Sequence, residues 1–379
     1  MRLGIVRLYN GASGIKGYYN SQELGVARIM KELGYEVFIF IPTPGIKESY
    51  SDKEEDNIST IYIPARTIGV HSRFDWSILK EYDIDVVQLG ADNQIFAPDI
   101  ISYCDKNHIL IYLYIGVTES DTNSKIKKTI FSLLFKRNIR SYKKHMCFAK
   151  TPTVIMQLEA YGIKKTGLAP VGLDVESIHD IEQNKSALRK KLNIPADKTV
   201  LLFVGRMDSY KSPLEAISLL KNLSDENYLI MIGDGGLYRT VTKEIEQQGL
   251  ATRIRQIRQL PNRDVQEYYV ASDYFLNFNT KEIFGMSILE AMYHGCHVLA
   301  YHAPGPDYII EHGISGSLCN SISEMQAIIE NKTMLDPDDI KLRVFKDFVW
   351  NKTGKIFDKW IKQEYSISKK NVNTQSNKI

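Results

Sequence analysis

Glu282-Ile-Phe-Gly-Met-Ser-Ile-Leu-Glu290 follows an apolar run, Tyr274-Phe-Leu-Asn-Phe278, and leads into a segment near 287–294 with helical spacing. A strand handed over to a helix through a glycine turn is where a doubly wound α/β sheet binds its ligands. Gly285 leaves room for a ligand near the backbone. The N–H groups of Phe284, Gly285 and Met286 can point at a phosphate as the next helix begins. Glu290 would then lie on that helix, able to accept hydrogen bonds from a vicinal diol such as a ribose. Glu282, in the preceding loop, could bond sugar hydroxyls. The spacing of the two glutamates establishes neither role, so the surrounding residues decide.

The alternation of short apolar runs and amphipathic segments extends in both directions from this turn. Val200-Leu-Leu-Phe-Val204, Tyr228-Leu-Ile-Met-Ile232 and His297-Val-Leu-Ala300 read as strands, with helices near 213–222, 236–249 and 264–271. In the first half, strands are expected at 2–8, 36–41, 85–89 and 109–114. The clearest helix is at 20–33, closed by Gly34. Two βαβ series predict two Rossmann-like doubly wound α/β domains, at 1–172 and 173–345, with the boundary at Pro170-Val-Gly-Leu-Asp174. The length of 379 residues suits two cores better than one. A helical stretch at 340–364 carries Trp350 and Trp360, and the polar residues 366–379 are expected to be disordered.

Composition narrows the class further. The chain is 44% hydrophobic and 25% charged, which is globular. A formal net charge of only +3 gives no ground for a nucleic-acid partner. Cys104, Cys147, Cys296 and Cys319 form no CxxC pair and read as reduced cytosolic thiols. The first residues are too charged for a signal sequence, and no apolar run approaches the ~20 residues of a membrane span. The expected location is cytoplasmic, with peripheral attachment to the inner face of the plasma membrane.

Three loops could meet a nucleotide. Gly205-Arg-Met-Asp-Ser-Tyr-Lys211 follows a strand and precedes a helix opening at Ser212-Pro213, with Ser212 as its expected N-cap. Arg206 and Lys211 are placed to supply cations for a diphosphate. Gly233-Asp-Gly-Gly236 ends the next strand with a turn that lets the backbone approach a ligand closely. Gly11-Ala-Ser-Gly14-Ile-Lys-Gly17 follows the first strand and is a weak signal by itself.

These stretches together resemble the GT-B-fold retaining glycosyltransferases of the large group called family 4, or group 1. The resemblance runs through Val204-Gly-Arg206 with Lys211, Ile232-Gly-Asp-Gly235, Ala271-Ser-Asp273, Glu282-Ile-Phe-Gly285, Leu289-Glu-Ala-Met292, Gly295, Ala303-Pro-Gly-Pro306 and His312-Gly-Ile-Ser-Gly316. It implies an N-terminal acceptor domain and a C-terminal nucleotide-sugar donor domain facing each other across a cleft. A closing helix, 346–365, would return to the N-terminal domain. Arg206 and Lys211 would bind the donor diphosphate, with Gly205 and Gly233 beside it and Gly14 facing it. Glu290 would hold the ribose, and Glu282 with Phe284, Gly285 and Met286 the transferred sugar. The implied activity is hexosyl transfer from a nucleotide sugar to a saccharide or lipid-linked acceptor, as in bacterial surface polysaccharide synthesis. No cofactor or metal is expected.

The chain departs from that pattern where many relatives carry a histidine near the reacting carbon. Ile111-Tyr-Leu-Tyr-Ile115-Gly116 has Tyr114 or Ile115 there. A non-catalytic partner subunit of the same fold is therefore the alternative to an enzyme. A second rival to the transferase is an enzyme of the same fold that acts on nucleotide sugars without an acceptor, such as an epimerase. Asp92, Glu119 and Asp121 are candidate acceptor-side groups at strand ends. Asp83-Ile-Asp85 matches a metal-binding DxD but reads as the lead-in to a strand, and Asp336-Pro337 reads as a capped helix start. Residues 125–150 form a basic amphipathic segment without an acidic residue. Lys127, Lys128, Phe131, Phe135, Lys136, Arg137 and Arg140 are expected to contact an anionic membrane, where a lipid-linked acceptor would be met.

Overall fold

A computed structural model describes residues 1–10, 19–118, 125–178 and 181–376, side chains at 127, 128 and beyond 367 excepted. The chain divides into two compact units. One holds the first strand and Ser21–Gly172, rejoined by the chain from Trp350 onward, and the other spans Leu173–Val349 together with the short stretch that ends at Asn20.

The first unit is built on an eight-stranded sheet. Its order is Thr166–Leu168, Met146–Ala149, Leu110–Ile115, Val86–Gly90, Arg2–Arg7, Glu36–Thr43, Ile58–Pro64 and Tyr50–Glu55. All neighbours are parallel except the last pair. The central strands are buried on both faces, which is why they read as unbroken apolar runs. Asp83 and Asp85 hold the start of this sheet. Asp85 accepts from the Arg2 backbone N–H at 2.7 Å, and Asp83 accepts from its guanidinium at 3.1 Å.

The helix Gln22–Glu32 begins where Ser21 accepts from the Leu24 N–H at 3.2 Å, and Gly34 turns the chain out at φ 92°. Two glycines then let the last helix lie against it. A Cβ on Gly25 would fall 2.1 Å from the Trp350 indole nitrogen, and one on Gly354 would fall 2.0 Å from Ile29. Tyr35 donates to Asp358 at 2.9 Å, and Phe357 and Trp360 pack on Tyr112 and Phe148.

The predicted stretch 340–364 is two helices, Pro337–Asp347 and Trp350–Ser376. The break has a cause. Leu173 donates to the Phe348 carbonyl at 2.7 Å and pairs with Val349 in an isolated parallel bridge, which pulls those two residues out of helical geometry. The last helix continues to Ser376, through the segment expected to be disordered from 366. Asp336 caps its helix as predicted, accepting from the Asp338 N–H at 2.9 Å with Pro337 in the first turn.

The second unit carries a six-stranded parallel sheet in the order Ile254–Ile257, Asn227–Ile232, Thr199–Val204, Tyr274–Asn277, His297–Tyr301 and Ser317–Cys319. The order reverses beside Thr199–Val204, so a ligand site is expected at the carboxyl ends of that strand and Tyr274–Asn277. Asp273 works at the opposite end. It accepts from Arg189 at 2.7 Å, from the Val200 N–H at 2.8 Å and from Lys185 at 3.0 Å, fixing where the strands begin. The four cysteines are free and buried.

Candidate functional site

Gly205–Lys211 leaves the carboxyl end of Thr199–Val204, and the turn after Asn227–Ile232 packs directly on it. A Cβ on Gly233 would sit 1.8 Å from the Gly205 carbonyl oxygen, and one on Gly235 would sit 2.7 Å from the Met207 backbone. Met207 N–H donates to the Asp234 carbonyl at 2.9 Å, and Leu237 N–H to the Met207 carbonyl at 2.7 Å. These glycines are thus required by loop-on-loop packing, a role sequence reasoning did not assign. Asp208 ties the loops further, accepting from the Gly236 N–H at 2.8 Å and from Arg206 Nε at 2.7 Å. The half-exposed Arg206 keeps its terminal nitrogens for another partner.

Ser212 differs from its expected role. It precedes the helix Pro213–Asn222, but in left-handed backbone at φ 51°, and its hydroxyl makes no cap. It points back to the Ser209 carbonyl at 3.4 Å. That reversal follows the short helical turn Ser209–Lys211, which carries Lys211 over Gly205. A Cβ on Gly205 would lie 3.8 Å from the Lys211 chain.

Lys211 then meets Glu282 in a closely paired, mostly buried salt bridge. Asn279 and Asn277 donate to the same carboxylate oxygen at 3.2 and 3.4 Å. Burial pushes the Glu282 carboxyl up, but Lys211 and the two amides outweigh it and hold it below the ordinary carboxylate range. A lysine side chain carries more N–H donors than the one Lys211 gives to Glu282, so capacity for another acceptor remains. Asn277 and Asn279 are both buried and shape the turn, since Asn279 also accepts from the Lys281 N–H at 3.0 Å. Their place at the end of a strand was the signal that could have found them.

The helix Met286–Tyr293 starts at Gly285, whose φ of 103° favours glycine and which offers no capping side chain. Its first N–H groups thus remain available to an anion. Gly305 closes on the loop from the far side. It donates to the Glu282 carbonyl at 2.8 Å, and a Cβ there would lie 2.2 Å from the Phe284 carbonyl.

Glu290 is on that helix but only 5% exposed. Its two oxygens accept from Asn262 at 3.0 Å and from Tyr269 at 2.9 Å. Burial raises its carboxyl above the ordinary value, against the bonds from Asn262, Tyr269 and Gln266. A carboxylate offers about four lone-pair directions, so acceptor capacity remains. Asn262 and Tyr269 come from another helix and had no signature near the Glu282–Glu290 stretch.

In the first unit, Asp92 is a structural anchor. It accepts from the Gly116 and Val117 N–H groups at 2.6 and 3.1 Å, with Lys150 at 3.7 Å. Tyr114 and Ile115, at the place where the resemblance implies a histidine, are buried in the sheet. Gly14, Glu119 and Asp121 lie outside the described residues, as do the side chains of Lys127 and Lys128.

The basic segment is a helix, Lys125–Tyr142. Phe135 does not face outward: it is fully buried against Tyr142 and Tyr161, correcting its expected membrane contact. Phe131 is half-buried, its carbonyl accepting from Asn93 at 2.9 Å. Arg137 donates to the Ile95 carbonyl at 2.9 Å. The outward apolar residues are Ile126, Ile130 and Leu133, 73%, 60% and 62% exposed, on the same helix as the exposed Lys136 and Arg140. The described helices include none long and apolar enough to cross a membrane.

Residues 184–338, which contain the loops from Gly205 to Gly305 and the helix that carries Glu290, match the family model described as "Glycosyl transferases group 1". That match takes in most of the unit Leu173–Val349. Among relatives of the group 1 domain, the putative teichuronic acid biosynthesis glycosyltransferase TuaC of Bacillus subtilis is 27% identical over 127 residues, 34% of this chain and 31% of its own length. The chain spans less than half the length of the first relatives it matches. The alpha-monoglucosyldiacylglycerol synthase of Acholeplasma laidlawii is 23% identical over 324 residues, 78% of this chain and 79% of that one. Anabaena HepE, crystallised with UDP and glucose, superposes with a TM-score of 0.72 at 17% identity, over 96% of this chain and 100% of that one. At that identity the likeness gives the fold, which is GT-B.

Proposed function

We propose that the protein is a retaining glycosyltransferase that moves a sugar from a nucleoside diphosphate sugar to a saccharide acceptor. The acceptor is carried on a lipid at the cytoplasmic face of an anionic membrane, in bacterial surface glycan synthesis. One observation carries the reading: Lys211, fixed by Glu282 beside an uncapped helix start, at the carboxyl end of the central strand of the matched group 1 region. HepE, bound to UDP and glucose, makes a uridine nucleotide the first donor to test. TuaC and the monoglucosyldiacylglycerol synthase support a surface-glycan or lipid-linked acceptor by their names.

In the proposed reaction, an acceptor hydroxyl oxygen bonds to the anomeric carbon on the face that the diphosphate leaves. The bond from that carbon to the diphosphate oxygen breaks, its electron pair stays on the oxygen, and that oxygen takes the acceptor's proton. Arg206 and Lys211 stabilise the growing negative charge, so the reading needs neither a metal nor a histidine. Glu282 and the backbone of 284–286 orient the sugar, and Glu290 the ribose.

A screen of nucleotide sugars tests the donor half. One of them is expected to raise the melting temperature of the full chain and to be hydrolysed slowly without acceptor. A non-catalytic partner would do neither with any of them. Flotation with vesicles tests the membrane half. The chain is expected to float with phosphatidylserine vesicles at low salt and to be released at high salt. Replacing Ile126, Ile130 and Leu133 together by serine is expected to abolish flotation with an unchanged melting temperature. Equal binding to neutral vesicles, or by the triple variant, would remove the membrane assignment.

A further inference from the structure

The first unit holds a cavity of about 610 Å³, lined among others by Pro64, Arg66, Arg73, Phe74, Asp75 and Trp76. This is the size of a small-ligand pocket. Pro64 ends the strand Ile58–Pro64 and pairs in parallel register with Thr43, the last residue of Glu36–Thr43. The cavity therefore opens at the carboxyl ends of parallel strands, the end at which doubly wound sheets take ligands.

Its charged wall is a two-stranded hairpin, Arg66–Ile68 and His71–Arg73. The hairpin is held over the sheet. Ser72 N–H donates to the Leu8 carbonyl and Asn10 N–H to the Val70 carbonyl, both at 2.8 Å, and His71 Nδ1 lies 2.9 Å from Gln94 Oε1. Arg66 and Arg73 are direct cross-strand partners in that ladder. Like charges directly opposite each other destabilise a hairpin. Neither guanidinium forms an ion pair or side-chain hydrogen bond among the described residues, although elsewhere in this unit Arg2 and Arg28 are paired with carboxylates. Asp75, on the same cavity, spends one carboxylate oxygen on the Ser77 N–H at 3.0 Å. The floor is apolar, with Phe74 and Trp76 buried edge to face at 4.5 Å. The buried Trp76 Nε1–H has no acceptor among the described residues, a rarity in folded proteins.

Two unpaired guanidiniums over an aromatic floor match one chemistry: a sugar bearing an anionic group. A phosphate or carboxylate takes paired N–H bonds from the exposed Arg66 and Arg73, and the sugar's apolar face meets what the largely buried rings leave open to the cavity. We infer that this cavity binds the anionic part of a saccharide acceptor through Arg66 and Arg73. The word acceptor rests on the transferase reading above, whereas the anionic-sugar site stands without it.

The test uses the full chain with saturating UDP, so that the donor loops are occupied. Glucose 6-phosphate, glucuronate, inorganic phosphate and glucose are titrated by calorimetry. The charged sugars are expected to bind, whichever binds more tightly naming the anion, while glucose and inorganic phosphate bind at least about tenfold more weakly. Arg66→Ala/Arg73→Ala is expected to weaken the charged sugars about 10- to 100-fold. It should leave UDP affinity unchanged and the melting temperature unchanged or raised, since an unfavourable like-charge pair is removed. Arg66→Lys/Arg73→Lys should recover only part of the affinity. Equal binding of inorganic phosphate, full affinity in the alanine variant, or no binding of either charged sugar would each overturn the inference. Charged sugars bound without any affinity for UDP would instead overturn the transferase reading and leave this site standing.

Discussion

Lys211→Met is expected to lower turnover of the nucleotide sugar about 10²- to 10³-fold, the usual loss when one fixed donor to a developing oxyanion is removed. The same change should cost stability, because it strands Glu282. A buried ion pair that loses one partner is destabilised by about 3–5 kcal/mol. The pH dependence separates this from a general packing defect. In the intact protein the Glu282 carboxyl is held low, so its contribution is present above the ordinary carboxylate range and lost as pH falls through the lowered value. Without Lys211, burial becomes the dominant influence and raises that carboxyl instead. The folded state then binds the proton more readily than the unfolded one, so the contribution of Glu282 improves as pH falls from neutrality. Denaturant melts of both proteins from pH 4 to pH 7 should show the stability gap closing on acidification. A gap independent of pH would mean that Lys211 and Glu282 are not coupled as the geometry indicates.

Glu290→Ala is expected to weaken nucleoside diphosphate binding about tenfold or more, the weight of a charged hydrogen bond. It should also destabilise the fold, since the Tyr269 hydroxyl and the Asn262 amide lose their shared acceptor inside the unit. Each unsatisfied buried group costs about 1–3 kcal/mol. Glu290→Gln distinguishes the two roles. It keeps the volume and one carbonyl acceptor, so the melting temperature should largely recover while nucleotide affinity recovers only in part. If binding tracks stability in both variants, Glu290 is a packing residue and the ribose has another partner.

Much of this architecture was legible in the sequence because parallel strands are buried on both faces. Runs such as Val200–Val204 and Tyr228–Ile232 could be read as strands directly, and their order as two doubly wound units. What the sequence hid depends on approach between distant segments. The Gly25–Trp350 and Gly354–Ile29 contacts, and the packing of Gly233 on Gly205, leave no local pattern. The break at Phe348-Val349 comes from a bridge to Leu173, more than 170 residues away. In the site, Arg206, Lys211, Gly285 and Glu282 stood out as a loop-and-turn chemistry. Asn277, Asn279, Asn262 and Tyr269, which donate hydrogen bonds to the two glutamates, did not. The basic helix failed differently: composition alone could not tell that Phe135 faces inward and Leu133 outward.

The central claim is that Leu173–Val349 binds the nucleotide of a sugar donor through Arg206, Lys211 and Glu290. Calorimetric titration of UDP into the full chain, and into Lys211→Met beside it, tests that most directly. A saturable single site in the native chain, weakened about tenfold or more in the variant, is the predicted result. No heat of binding in the native chain, or equal affinity in the two proteins, would contradict it.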